Sequence, residues 1–134
     1  MDLLVDVYRV TQRLPTEERY GLQSQSRRAA VSVASNIAEG QGRWHPREFL
    51  HSLSVAKSSL QELETQIEAM IRLDYASRDE MRGVISLADD VGRMLAGLMG
   101  TLRQRLGPAL TRDAQRGTRN VPRHARIARS AASP

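Results

Sequence analysis

Apolar residues recur along most of this chain at helical spacing. At Phe49, Leu53, Ala56, Leu60, Leu63, Ile67 and Met70 the steps alternate between four and three, which is a heptad seam along one side of a helix. Met81, Val84, Ala88, Val91, Leu95, Leu98 and Leu102 repeat the seam, flanked by Ile85, Leu87, Met94 and Met99. That broadened stripe suits the core of a bundle better than a two-stranded coil. Near the start, Leu3, Leu4, Val7, Val10 and Leu14 share one face. Between these segments lies a run of small residues, Ala29, Ala30, Ser32, Ala34, Ser35 and Ala38, interleaved with Val31, Val33 and Ile37. Small side chains let a neighbouring helix approach closely.

Capping chemistry marks the ends. Ser77-Arg78-Asp79-Glu80 reads as a capping box, Pro46 suits a first helical turn, and Gly107-Pro108 reads as a stop. Glu17 and Glu18 after Thr16 favour a helix N-terminus, and Gly40 closes that segment. The chain is therefore predicted to be all-α, an antiparallel up-down four-helix bundle over residues 1–106 with helices at about 2–14, 16–39, 46–73 and 78–106. Residues 107–134, where the apolar periodicity stops and Gly117 and Pro122 interrupt, are expected to form a disordered tail. The two long helices would each span roughly 42 Å and the first only about 20 Å. One corner of the bundle is then half empty, so either the chain starts late or a neighbouring subunit covers that corner.

With 134 residues and 40% hydrophobic content there is material for one core. The absence of cysteine removes disulfides, thiolate metal sites and cysteine nucleophiles. No apolar run approaches the roughly 20 residues of a membrane span, and Met-Asp-Leu-Leu-Val-Asp is no signal peptide. A soluble, cytoplasmic protein is expected, with no membrane partner. The net charge of +5 is unevenly placed: residues 1–106 carry 14 Arg or Lys against 14 Asp or Glu. The tail, with Arg112, Arg116, Arg119, Arg123, Arg126 and Arg129 against Asp113, holds all of it. Arginine outnumbers lysine 19 to 1, a bias that a GC-rich genome alone produces.

Three stretches carry a family likeness: Glu18-Arg19-Tyr20-Gly21-Leu22, Arg27-Arg28-Ala29-Ala30-Val31-Ser32-Val33 and Ser35-Asn36-Ile37-Ala38-Glu39-Gly40. With Gly42-Arg43, Glu48-Phe49 and Leu60-Gln61-Glu62-Leu63-Glu64-Thr65-Gln66, the chain from about Val5 to Leu106 resembles the four-helix-bundle proteins encoded in intervening sequences of bacterial 23S rRNA genes. The resemblance implies a left-handed bundle and a homopentameric ring. It also implies kinship with the accessory protein of diversity-generating retroelements, whose partner is a reverse transcriptase and which contacts nucleic acid. The tail after Gly107 matches nothing in that family.

Candidate chemistry is sparse. Asn36 and Glu39 sit among small apolar residues and are expected to be structural polar groups, since a buried amide or carboxylate without hydrogen bonds costs roughly 1–3 kcal/mol or more. Glu48-Phe49-Leu50-His51 has the Glu-x-x-His spacing of di-iron bundles, but those need two such units and two further glutamates. No metal, cofactor or catalytic set is expected. Arg43-Trp44-His45-Pro46-Arg47 places an aromatic between cations, able to stack a base while arginines hold phosphates, or simply to cap the core. An up-down topology would bring Arg43, Arg47, Arg103 and Arg105 to one pole with the basic tail, including Arg112 and Arg116. Arg27 and Arg28, roughly 20 Å away, either contact a polyanion or pair with Glu62, Glu64 or Glu68 within or between subunits. The expected function is non-enzymatic: a ring-forming accessory protein that contacts RNA or DNA, or a reverse transcriptase-like protein. The alternative is a protein-binding adaptor or scaffold that touches no nucleic acid.

Overall fold

The structure, a computed structural model, describes residues 1–42 and 45–119, with side chains through residue 107. Four helices make up the bundle: α1 (Asp2–Thr11), α2 (Ser24–Gln41), α3 (Pro46–Arg72) and α4 (Arg82–Arg119). There is no strand among the described residues. Each helix packs on two others in a closed circuit, α1 on α2 and α4, and α3 on α2 and α4, with the most extensive contact between α2 and α3.

The α3 seam forms the centre of the core as its spacing predicts. Leu53, Ala56, Leu60, Leu63, Ile67 and Met70 are all buried, and Phe49 is half-buried at the end of the line. On α4 the buried line is Val84, Ala88, Leu95, Met99 and Leu102, so Met99 replaces Leu98, which is half-buried. A helix of 3.6 residues per turn drifts about 20° per heptad, enough to carry the contact line sideways by one position. On α2 the small residues do what their size allows. Ser32 and Ser59 share a hydrogen bond of 2.7 Å, and Gly40 lies so close to α3 that a Cβ there would stand 2.6 Å from the Phe49 ring.

Three boundaries differ from the predicted ones. First, α1 ends at Thr11 rather than Leu14, because Pro15 disfavours helical backbone at the residue before it. The chain closes instead with Leu14 N–H bonded to the Thr11 carbonyl. Second, the segment from Thr16 is not continuous α-helix. A 3-10 turn (Thr16–Glu18) and a wide π turn (Arg19–Gln23) precede α2, with non-helical backbone at Gly21. Glu18 caps this break by accepting the Leu22 amide at 3.1 Å, and a Cβ on residue 21 would stand 2.6 Å from the accepting oxygen. Third, α4 starts at Arg82 and runs to Arg119, past the expected stop at residue 106. Pro108 removes the hydrogen bond to the Gln104 carbonyl and crowds that carbonyl, yet the helix continues through Ala109 and Leu110, which are strong helix formers. Residues 120–134 of the expected tail lie outside the described residues.

The connection from α3 to α4 is built from two caps. At the C-terminus of α3 the Tyr75 amide bonds the Met70 carbonyl and the Asp74 amide the Ile71 carbonyl, with Asp74 at φ 60, which is a Schellman motif. Ser77 then accepts the Glu80 amide at 3.1 Å, as a capping box requires, although the Glu80 carboxylate returns to the Ser77 hydroxyl rather than to its backbone.

Candidate functional site

Where α1 passes the π turn and the start of α2, a cleft of about 590 Å³ opens to solvent. Tyr8, Arg19, Tyr20, Arg27, Arg28 and Val31 line it together with Gln23, Ser24 and Ser32, and no acid does. A volume in the range of about 300–1,000 Å³ is that of ligand-sized sites. Local structure explains the arrangement. The Gly21 break lifts Arg19 and Tyr20 off the helical path, so Tyr20 stands 87% exposed, whereas the regular helix after Ser24 presents Arg27, Arg28 and Val31 along one edge.

The two adjacent arginines have separate jobs. Arg27 is half-buried: its Nε donates to the Thr11 hydroxyl at 3.0 Å, a terminal nitrogen donates to the Tyr8 carbonyl at 3.2 Å, and its guanidinium lies 4.5 Å from the centre of the Tyr8 ring. It therefore ties α2 to α1 and fixes Tyr8 as one wall of the cleft. Arg28 is exposed at the rim. Within the chain neither follows the expected pairing with the α3 acids, since Glu68 is taken by Arg78 at 2.9 Å and Arg72 at 3.2 Å. Those bonds hold the Glu68 carboxyl below its ordinary range. Glu64 faces the opposite situation, with partial burial first and Asp89 second pushing its carboxyl up.

The remaining predicted residues fall elsewhere. Asn36 is half-buried and donates to the Ser32 carbonyl at 2.8 Å and to its hydroxyl at 3.3 Å. Glu39 is exposed rather than buried, because the inward positions of α2 are Ala29, Ala30, Val33 and Gly40. Arg47 lines a shallow polar cleft with Asn36, Glu39, Glu48 and His51. Arg103 and Arg105 are exposed on α4. Arg43 and Trp44 lie outside the described residues, as do the side chains of Arg112 and Arg116, whose backbone belongs to α4. Among the described residues no group of three or more His, Asp or Glu could hold a metal ion, and no helix is long and apolar enough to cross a membrane. The sequence reading had Arg27 and Arg28 but not Tyr8, Arg19 or Tyr20. The signal available was a Tyr-Gly pair preceded by arginine, where the apolar periodicity lapses.

Comparison with known proteins gives one family and one fold. The family model described as 23S rRNA-intervening sequence protein matches residues 1–97, which spans α1 to α3, the cleft and α4 as far as residue 97. Among solved structures, the chain is similar to a crystal structure of a protein of unknown function from the S23 ribosomal protein family of Bacteroides thetaiotaomicron, with a TM-score of 0.68 and 20% identity over 73% of this chain and 92% of that one. At that identity the likeness speaks for the fold. No curated protein matches.

Proposed function

The chain belongs to the 23S rRNA-intervening sequence protein family, and on that footing we propose that it is a non-enzymatic accessory protein that binds RNA through exposed arginines. The observation that carries this reading is the acid-free cleft of Arg19, Arg27 and Arg28 around two tyrosines. Three cations and no carboxylate among the lining residues favour phosphate there, while the neighbouring Glu18 carboxylate is engaged by the Leu22 amide and the Tyr75 hydroxyl. Arg103, Arg105 and the arginines beyond residue 107 add further cations for the same polyanion.

The test is an electrophoretic mobility shift with the full chain at several salt concentrations. Binding through phosphates loses affinity linearly on a log–log plot, with a slope of roughly 0.7 per neutralised phosphate for single strands and 0.9 for duplex. Affinity that ignores salt, or no shift at all, overturns the reading.

A second reading, a protein-binding scaffold or homo-oligomer, draws on a different feature. Where α1 begins, an apolar groove of about 260 Å³ lies between Met1, Leu4, Ile37, Ala38, Val91 and Met94. Met1 and Met94 on its edges are exposed. Covering such a groove favours association with another apolar surface, and light scattering on the purified protein tests self-association up to the five-subunit ring that the family resemblance implies.

A further inference from the structure

We infer that the α1–α2 cleft takes one unpaired nucleotide of a single-stranded RNA, with the base stacked on Tyr20 and the flanking phosphates held by Arg19 and Arg28. This rests on the proposed RNA-binding function and narrows it to a kind of strand and to one site. Three observations separate the cleft from a merely basic surface. Tyr20 is 87% exposed, the highest value among the exposed large apolar side chains of the described residues, so its ring is open to a stacking partner. The backbone that carries the ring is held: residues 18–22 are tied by the Glu18 cap on the Leu22 amide and by the Tyr75 hydroxyl, which donates to the other Glu18 oxygen at 3.2 Å. The opposite wall is equally fixed, because Tyr8 is clamped under Arg27.

Size and chemistry then select the occupant. A cleft of about 590 Å³ lies within the size range of sites that take a single small ligand such as one nucleotide. Bases inside a helix offer no face to an aromatic ring, whereas an unpaired base stacks on one without regard to its identity. Arg28 is exposed at the rim and Arg19 is exposed beside Tyr20, so both are open to phosphates on either side of the stacked base. Arg27 is held away from this role, since its Nε and one terminal nitrogen bond Thr11 and Tyr8 and its guanidinium lies over the Tyr8 ring.

The experiment compares the full chain with Tyr20→Ala, Tyr20→Phe and Arg28→Glu, each titrated by fluorescence anisotropy with a labelled twelve-nucleotide oligouridylate and with a labelled RNA duplex of about the same length. Tyr20→Ala is expected to weaken the oligouridylate about five- to one-hundred-fold, leaving duplex affinity and the salt slope unchanged. Tyr20→Phe, which keeps the ring, should restore wild-type affinity, and Arg28→Glu should weaken the oligouridylate and lower its salt slope. Equal binding by wild type and Tyr20→Ala, or a preference for duplex, overturns the inference while leaving RNA binding intact. Absence of binding to either probe overturns the broader function as well. A change in particle mass for Arg28→Glu in light scattering, with RNA affinity unaltered, assigns the cleft to a second copy of the chain and overturns the nucleotide site.

Discussion

The guanidinium of Arg27 lies 4.5 Å from the ring centre of Tyr8 while donating to the backbone carbonyl of the same residue at 3.2 Å. One side chain thereby holds both the ring and the main chain of α1 against α2. Its neighbour Arg28 is exposed at the rim instead, although the two look interchangeable as an Arg-Arg pair. Arg27→Ala should therefore cost about 1–2 kcal/mol of stability, from lost charge-assisted hydrogen bonds and a cation–π contact. Arg28→Ala should change stability by no more than about 0.5 kcal/mol. Urea denaturation followed by circular dichroism measures both, and equal losses would contradict the division of roles. Arg27→Lys should recover only part of the difference, because an ammonium cannot reach three sites in a fixed fork.

Gly40 and Gly100 respond oppositely to the same change. Alanine gains up to about 1 kcal/mol over glycine in a helix interior. At Gly100, where nothing lies within 4 Å of the added methyl, Gly100→Ala should stabilise by roughly that amount. At Gly40 the methyl meets the Phe49 ring at 2.6 Å and Ser52 Cβ at 3.3 Å, and overpacking of this kind costs about 1–3 kcal/mol. Gly40→Ala should lower the melting temperature, and Phe49→Leu in the same chain should return part of the loss. A Gly40→Ala variant as stable as the parent would mean that α2 and α3 can separate at this end without cost.

The Ser32–Ser59 bond lends itself to a double-mutant cycle. Ser59 is buried, and its hydroxyl and that of Ser32 are 2.7 Å apart across the α2–α3 contact. Removing one partner leaves the other poorly satisfied, at about 1 kcal/mol, whereas removing both leaves nothing to satisfy. Ser32→Ala with Ser59→Ala should thus cost clearly less than the sum of the single changes, with a coupling energy of about 0.5–1.5 kcal/mol. Strict additivity in chemical denaturation would show that the bond contributes nothing.

Tyr75 links stability to alkaline pH. The hydrogen bond to the Glu18 carboxylate, aided by burial and by the charges of Glu18 and Glu17, raises its hydroxyl above the ordinary tyrosine range. The folded state therefore keeps this proton longer than the unfolded state does. The contribution is complete below the unfolded value near 10 and is lost as pH rises through the higher folded value. Thermal melts should fall more steeply above pH 10 for the parent than for Tyr75→Phe, with the two converging at the alkaline end. Parallel curves would rule out the coupling.

The helices of the bundle were largely legible because their cause is periodic. The 4-3 spacing of the α3 seam and Pro46 place a helix at about 46–73, within one residue of the observed Pro46–Arg72, and Ser77 before Glu80 announces a cap that the structure contains. Ends governed by a single strong local term were readable only in part. Pro15 shortens α1 through the residue before it, whereas α4 runs on past Gly107-Pro108 to Arg119. The break at Gly21 was not readable, since Glu17 and Glu18 in the first turn look like an ordinary helix start.

The candidate site was legible by half. Arg27 and Arg28 stood out as cations, yet nothing in adjacent sequence positions tells which is committed to α1 and which is open. That distinction depends on Thr11 and Tyr8, sixteen and nineteen positions away along the chain. Residue order and side-chain type suffice for the four helices, the apolar face each buries and the concentration of net charge beyond residue 107, because those follow from spacing and composition along one dimension. The tertiary fold decides which arginine is structural, why Tyr20 stands in solvent and why no acid shares its cleft. Those are consequences of distance in space, which the packing of α1 on α2 creates and no local pattern encodes.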